Sequence, residues 1–254
     1  MKLQSVQKTP SRPIRAVLLA AGLGTRLRPL TNAVPKCLIP IGGRPLLDYW
    51  FDRLAEVGVR DVLINTHCMV HQVRSYLDGV KATGRFRILE AYESELLGSA
   101  GTIHANRDFA RTDEDCLIIY ADNLSKIDLA ALMRAHRCYG DPLTMALFMS
   151  STPERCGIAK LCNDGRIIEF QEKPEHPTSN LANAGIYAVS SEAYCEIADM
   201  SAFDLAHDVL PRFVGRMRGW ICDGYHCDVG TPESLAQARR DVDRIFGTRA
   251  SRTA

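Results

Sequence analysis

An apolar run, Ile14 to Ala20, leads almost directly into Gly22 and Gly24. No other feature of the chain restricts its fold as strongly. A short apolar segment ended by glycines reads as a strand buried on both faces. Gly22 and Gly24 let the backbone after that strand approach a ligand closely, so that N–H groups can face phosphate oxygens. A plain turn between strand and helix uses the same glycines, so these two residues leave both readings open. Two familiar phosphate loops are excluded: a dinucleotide fingerprint needs a third glycine where Leu27 stands, and a Walker A loop needs Gly-Lys-Ser/Thr, which is absent.

Arg26 shifts the balance toward a phosphate site. It lies two residues past Gly24, and its planar fork matches phosphate oxygens while never losing its charge. Lys36, beside Pro35, supplies a second cation; a lone lysine is ordinarily a solvated surface residue, but two cations flanking one glycine loop are harder to dismiss.

After the first strand, the pattern predicts a helix over Leu46 to Val57, a strand over Asp61 to Asn65, a helix over Val70 to Leu77 and a strand over Phe86 to Ala91. A short helix over Ala100 to Phe109, a strand over Cys116 to Tyr120 and a helix over Leu129 to Tyr139 follow. This alternation predicts a sheet with helices on both faces. The second half changes to strands over Thr144 to Met149, Gly157 to Leu161, Ile167 to Glu172 and Ala184 to Val189, with Asn163-Asp164-Gly165 as a hairpin turn. A helix over Phe203 to Phe213, short strands over Met217 to Cys222 and Tyr225 to Val229, and a helix over Glu233 to Ile245 opened by Thr231-Pro232 complete the reading. The expected organisation is one domain over 14–247, whose character changes at about 140–141. Flexible tails are expected at 1–13 and 248–254.

Composition removes several classes. The formal net charge is +1, so no global field favours nucleic acid or an anionic membrane. No stretch is long and apolar enough to span a bilayer. Nine cysteines, an odd number with no Cys-x-x-Cys pair, fit neither a disulfide framework nor a zinc ribbon. They read as reduced thiols of a cytoplasmic protein. His67 and His71 are four apart, but a zincin needs Glu where Cys68 stands, so capping or surface roles are expected. His226, two residues before Asp228, reads as a surface histidine.

Gly22-x-Gly24-Thr25-Arg26-Leu27 is followed by Pro35-Lys36 and by Ile39 to Leu46. Further on come Leu97-Gly98-Ser99-Ala100-Gly101-Thr102, Ala121-Asp122-Asn123, Glu172-Lys173-Pro174, Asn183-Ala184-Gly185-Ile186-Tyr187 and Asp228-Val229-Gly230-Thr231-Pro232-Glu233. In these motifs and their order the chain resembles the sugar-1-phosphate nucleotidyltransferase family. The resemblance implies a nucleotide-binding half to about 140 and a sugar-phosphate-binding half from about 141. The details lean toward mannose- and heptose-1-phosphate guanylyltransferase-like members. The resemblance implies an α/β fold, a Rossmann-like three-layer α/β/α sandwich with a mixed, mostly parallel central sheet. It also implies an enzyme that joins an NTP to a sugar 1-phosphate, releasing pyrophosphate, with homodimers common among its members.

By the same resemblance, Asp122 and Asp228 hold Mg2+, Arg26 and Lys36 hold the triphosphate, and Lys173 binds the phosphate of the sugar phosphate. Leu19, Ala20, Ala21, Gly22, Gly24, Thr25, Glu93, Gly98 and Ser99 are expected at the nucleotide. Asn123, Gly157, Glu172 and Asn183 are expected at the sugar phosphate. Each aspartate read alone is a turn or cap residue. Two positions depart from the common pattern: Ala121 replaces a glycine, narrowing the space beside the metal, and Cys37-Leu38 follows the lysine. The chain carries no left-handed β-helix, so no acetyltransferase activity is expected. Two rivals stay open, a nucleotide or sugar sensor of the same fold and an enzyme acting on a non-sugar phosphate or phosphonate.

Overall fold

The computed structural model describes residues 12–247; the expected tails lie outside the described residues, apart from Arg12 and Pro13. Its strands are β1 Ile14–Leu19, β2 Pro40–Ile41, β3 Arg44–Pro45, β4 Asp61–Thr66, β5 Arg87–Tyr92, β6 Asp115–Tyr120 and β7 Asn123–Ser125. They continue as β8 Leu143–Met149, β9 Gly157–Leu161, β10 Ile167–Glu172, β11 Leu181–Ser190, β12 Met217–Ile221 and β13 His226–Asp228. The α-helices are α1 Leu46–Glu56, α2 Val70–Ala82, α3 Gly98–Ala105, α4 Leu129–Tyr139, α5 Ser191–Asp199, α6 Leu210–Phe213 and α7 Pro232–Phe246.

A nine-stranded sheet runs β10-β9-β11-β6-β1-β4-β5, with β8 joined to β11 and β12 to β8. The strands β6-β1-β4-β5 are parallel, and β11 pairs antiparallel with β6, β8 and β9. Alternation along each central strand feeds two separate apolar layers. Val17, Leu19, Cys116 and Ile118 pack with α3, α5 and α6, whereas Ala16, Leu18, Leu117 and Ile119 pack with α1, α2 and α4. Both faces are covered, which explains why these strands read as continuous apolar runs rather than as alternating ones. Each fully buried aliphatic side chain contributes about 1.5–3 kcal/mol. A third cluster joins Ile39, Ile41, Leu46 and Tyr49 to Leu235, Ala238 and Val242 of α7.

Local signals place the boundaries. Asp128 caps α4 by accepting from Ala131 N at 2.8 Å, and Gly140 ends it at φ 69°. Thr231 caps α7 in a capping box, with Pro232 in its first turn. The Asn163-Asp164-Gly165 turn joins the antiparallel pair β9 and β10. Two expected helices are corrected. The one expected from Ala100 begins at Gly98 and stops at Ala105, followed by a 3-10 turn over Arg107–Phe109. The one expected over Phe203 to Phe213 is a π-helical turn, Leu205–Val209, followed by α6. Phe203 and Asp204 precede that turn because Asp208 accepts from both of their N–H groups, at 3.1 and 2.8 Å.

Candidate active site

The loop after β1 is held by a residue on the neighbouring strand. Asn65, buried at the carboxyl end of β4, accepts from Ala20 N at 2.6 Å and Ala21 N at 3.2 Å. Gly24 sits at φ 63°, where a Cβ would come within 2.8 Å of the Thr31 methyl, so this position needs glycine. Gly22 differs: a Cβ there would meet nothing within 4 Å, and the open space belongs to a cavity. Thr25 and Arg26 follow in an exposed 3-10 turn.

Lys36 lies almost wholly buried, 7% exposed, in a short 3-10 turn. Its Nζ stands 2.7 Å from Asp122 Oδ2 and 4.0 Å from Asp228 Oδ1. The aspartates, far apart in sequence, are joined by the β13–β7 ladder, in which Asp228 pairs with Asn123, and by the Val229 N–H donating to Asp122 O at 3.1 Å. Partial desolvation and the Asp122 charge push the Asp228 carboxyl up, against the pull of Lys36, Arg26 and Lys173. Gly230 completes the cluster: a Cβ there would lie 2.8 Å from Arg26 Nη2 and 2.9 Å from Asp228 Oδ2.

Two hard carboxylates meeting at one ammonium form a donor set suited to Mg2+. Among the described residues, no group of three or more His, Cys, Asp or Glu could hold a metal. A Mg2+ held by this pair would therefore complete its shell with phosphate oxygens and water.

The cluster stands between two cavities. One, about 280 Å³, is lined by Leu19 to Gly22, Lys36, Glu93, Gly98, Ser99 and Asp122. The other, about 680 Å³, is lined by Arg26, Lys173 and Asp228. Lys173, at φ 48°, reaches Glu172 at 3.2 Å. Gly157 stands opposite Glu172 in the β9–β10 register, and a Cβ there would come within 2.6 Å of Glu172 Oε2 and 2.7 Å of the Phe170 ring, so one of the two would have to move.

Some expected residues have their polar groups engaged inside the protein. Glu93 is buried; it accepts from Asn65 Nδ2 at 2.9 Å, Leu97 N at 3.1 Å and the Thr102 hydroxyl, while still lining the first cavity. Asn123 donates to Ala184 O at 3.2 Å and lines neither cavity. Asn183 spans the β11 irregularity, donating to Tyr187 Oη at 2.7 Å and accepting from Gly185 N at 2.9 Å. Gly157, Glu172 and Asn183 also line neither cavity.

The departures from the family pattern have physical outcomes. The Ala121 methyl packs in the core with Leu117 and Ile119. Burial pushes the Cys37 thiol up to about 12, so it acts as a small neutral hydrophobe. His226 is not the surface histidine expected: its ring packs 4.7 Å from Phe148 and its Nδ1 is buried without a partner. His67 Nδ1 lies 2.8 Å from the Glu93 carbonyl. Asn65 escaped the sequence reading, although a polar residue ending an apolar strand is a usable signal, and Thr102 entered it only as the last residue of a motif, with no role of its own.

A family model described as nucleotidyl transferase matches residues 15–244. The chain belongs to the nucleotidyl transferase family. A relative from Aneurinibacillus thermoaerophilus, a D-glycero-alpha-D-manno-heptose 1-phosphate guanylyltransferase, is 31% identical over 92% of this chain and 100% of its own length. A mannose-1-phosphate guanylyltransferase of Mycobacterium tuberculosis is 29% identical over 91% of this chain. The chain spans 65% of that relative's length, and 63% of a Sulfolobus acidocaldarius relative to which it is 34% identical. Among solved structures, HddC from Yersinia pseudotuberculosis superposes with a TM-score of 0.75 at 23% identity, covering 90% of this chain and 99% of that one. That likeness shows a shared fold. Within this nucleotidyl transferase, no helix among the described residues is long and apolar enough to cross a membrane.

Proposed function

We propose that the chain is a sugar-1-phosphate nucleotidyltransferase, with GTP and mannose or heptose 1-phosphate as the preferred pair. The observation that carries this reading is the meeting of Lys36, Asp122, Asp228 and Arg26 between two cavities. In the proposed reaction, a phosphate oxygen of the sugar 1-phosphate forms a bond to the α-phosphorus of the NTP. The bond from that phosphorus to the α–β bridging oxygen breaks, and pyrophosphate leaves with the bonding electron pair. The attacking oxygen is already ionised near neutral pH, so no general base is required.

The chain contributes position and charge. Arg26 and Lys36 hold the triphosphate and stabilise the leaving group, and Lys173 holds the sugar phosphate. Asp122 and Asp228 hold Mg2+, which supplies neutralisation of phosphate charge when bound. Glu93 supports guanine: guanine presents N–H donors on one edge, and of a carboxylate's roughly four lone-pair directions one remains beyond those that Asn65, Thr102 and Leu97 occupy. The guanylyltransferase names of the relatives favour the same base. Nine unpaired cysteines favour a cytoplasmic site of action.

Pyrophosphate release would be measured with Mg2+, each of five NTPs, and mannose, heptose and glucose 1-phosphates. The expected result is release with GTP and mannose or heptose 1-phosphate, abolished by chelator and by Asp122→Ala. Release with UTP or dTTP alone would overturn the base assignment. Silence with every pair, with nucleotide binding intact, would overturn the reaction.

A further inference from the structure

The first cavity has a wall that no sequence motif marked. Phe203 and Asp204, from the second half of the chain, line it together with Glu93, Gly98 and Ser99. They are clasped to the start of α3. Ala100 N donates to Phe203 O at 3.0 Å, and Leu205 N donates to Ser99 Oγ at 2.8 Å. The Ser99 hydroxyl donates to Asp204 Oδ2 at 3.0 Å. Gly98, at φ 77°, permits the clasp, because a Cβ there would fall 2.2 Å from Phe203 O. Ser99 therefore directs its hydroxyl at the opposite half of the chain.

Asp204 is half-buried and its carboxylate is only partly engaged. Oδ2 takes the Ser99 hydroxyl and Oδ1 takes His207 N at 2.9 Å. A carboxylate offers about four lone-pair directions, so acceptor capacity remains at a surface that lines a cavity. From Asp204 a row of hydroxyl and amide groups leads toward the expected sugar residues. The Tyr120 side chain lines the same cavity as Ser99 and Asp204. Its ring packs edge-on against Tyr187 with centroids 6.3 Å apart, and Tyr187 Oη accepts from Asn183 Nδ2 at 2.7 Å. Glu93 and Leu96 line the same cavity.

We propose that Asp204, held by Ser99, is a specificity-determining residue that accepts a hydrogen bond from a ring hydroxyl of the sugar 1-phosphate. This rests on the nucleotidyl-transfer reading above. Such a role makes the sugar choice depend on a contact between the two halves of the chain, and it moves Ser99 from the nucleotide to the sugar.

The test compares the unaltered protein with Asp204→Asn and Ser99→Ala, using GTP, mannose 1-phosphate and its 2-, 3-, 4- and 6-deoxy analogues. Asn caps a turn as well as Asp does, so Asp204→Asn keeps the fold, checked by an unchanged melting temperature. The expected result is about a tenfold rise in KM for mannose 1-phosphate, the size of one lost hydrogen bond to a charged group, with KM for GTP unchanged. Ser99→Ala is expected to move the same constant in the same direction. The penalty of Asp204→Asn should vanish on one deoxy analogue, which identifies the hydroxyl. An active parent whose variants keep their sugar KM overturns the proposal alone. So does a penalty that falls on GTP and is relieved by 2′-deoxy-GTP, which would put the ribose there instead. A parent that releases no pyrophosphate with any pair overturns the nucleotidyl-transfer reading and this proposal with it.

Discussion

The Lys36 ammonium lies 2.7 Å from Asp122 Oδ2, with Asp228 on its other side at 4.0 Å. One buried cation thus holds two carboxylates that would otherwise repel each other. On the proposed reading, a triphosphate reaching this place meets a cation already oriented, and orientation before binding is the larger part of electrostatic catalysis.

Lys36→Met keeps most of the side-chain volume and removes the charge. The expected outcome is a fall in kcat/KM of about a hundredfold, or about 3 kcal/mol of transition-state stabilisation. Steady-state pyrophosphate release measures it. A variant within threefold of the parent would remove Lys36 from the chemistry.

A carboxylate pair that binds Mg2+ with nucleotide links metal to folding stability. Mg2+ added to the GTP-saturated protein is expected to raise Tm by roughly 5 °C, since a hundredfold excess over Kd is worth about 2.7 kcal/mol. Asp122→Asn and Asp228→Asn should abolish that rise. Equal rises in parent and variants would show that the metal binds elsewhere.

Gly230→Ala tests how closely Arg26 and Asp228 are packed. Its Cβ would come within 3 Å of both side chains, so one of them has to move. A misplacement of this size in a charge-based site costs on the order of tenfold to a hundredfold in kcat/KM. The melting temperature is expected to hold, because the displaced atoms are ends of polar side chains. Parent-like kinetics would mean that their positions are not critical.

His136 sets a pH limit on stability away from the site. It is 4% exposed, bonded to Thr144 Oγ1 at 2.9 Å, and burial lowers its pKa. The folded protein thus binds this proton less readily than the unfolded chain, whose histidine titrates near about 6.5. The stabilisation is present above about pH 6.5 and is lost as pH falls through the folded value. Melting curves from about pH 7 to about pH 5 should fall more steeply for the parent than for His136→Asn. Parallel curves would assign the acid sensitivity to other groups.

Local signals were legible where they suffice. The α4 helix occupies Leu129–Tyr139 as its periodicity indicates, and β9 and β10 occupy Gly157–Leu161 and Ile167–Glu172 around the Asp164-Gly165 turn. Partners distant in sequence were not legible from pattern. Asp122 and Asp228 meet through a three-residue strand pair that no periodicity reveals, and only the family resemblance joined them beforehand. The π-helical turn after Asp204 looked like an ordinary helix because its apolar spacing is nearly the same. What distinguishes it is the clasp to Ser99, 105 residues away in sequence. Glu93 is expected at the nucleotide through the resemblance, but its burial is not legible in the sequence, since nothing adjacent to it announces Asn65 and Thr102.

Strand β11 pairs with β6 from Ile186 to Ser190 and with β8 and β9 at Ala182. One covalent segment therefore borders both halves of the molecule and acts as a common ruler between them. Loops around β9, β10 and the π-helical turn could be exchanged with those of relatives while that ruler keeps its register. If the proposed reaction holds, chimeras that leave β11 intact change which acceptor enters without moving the triphosphate.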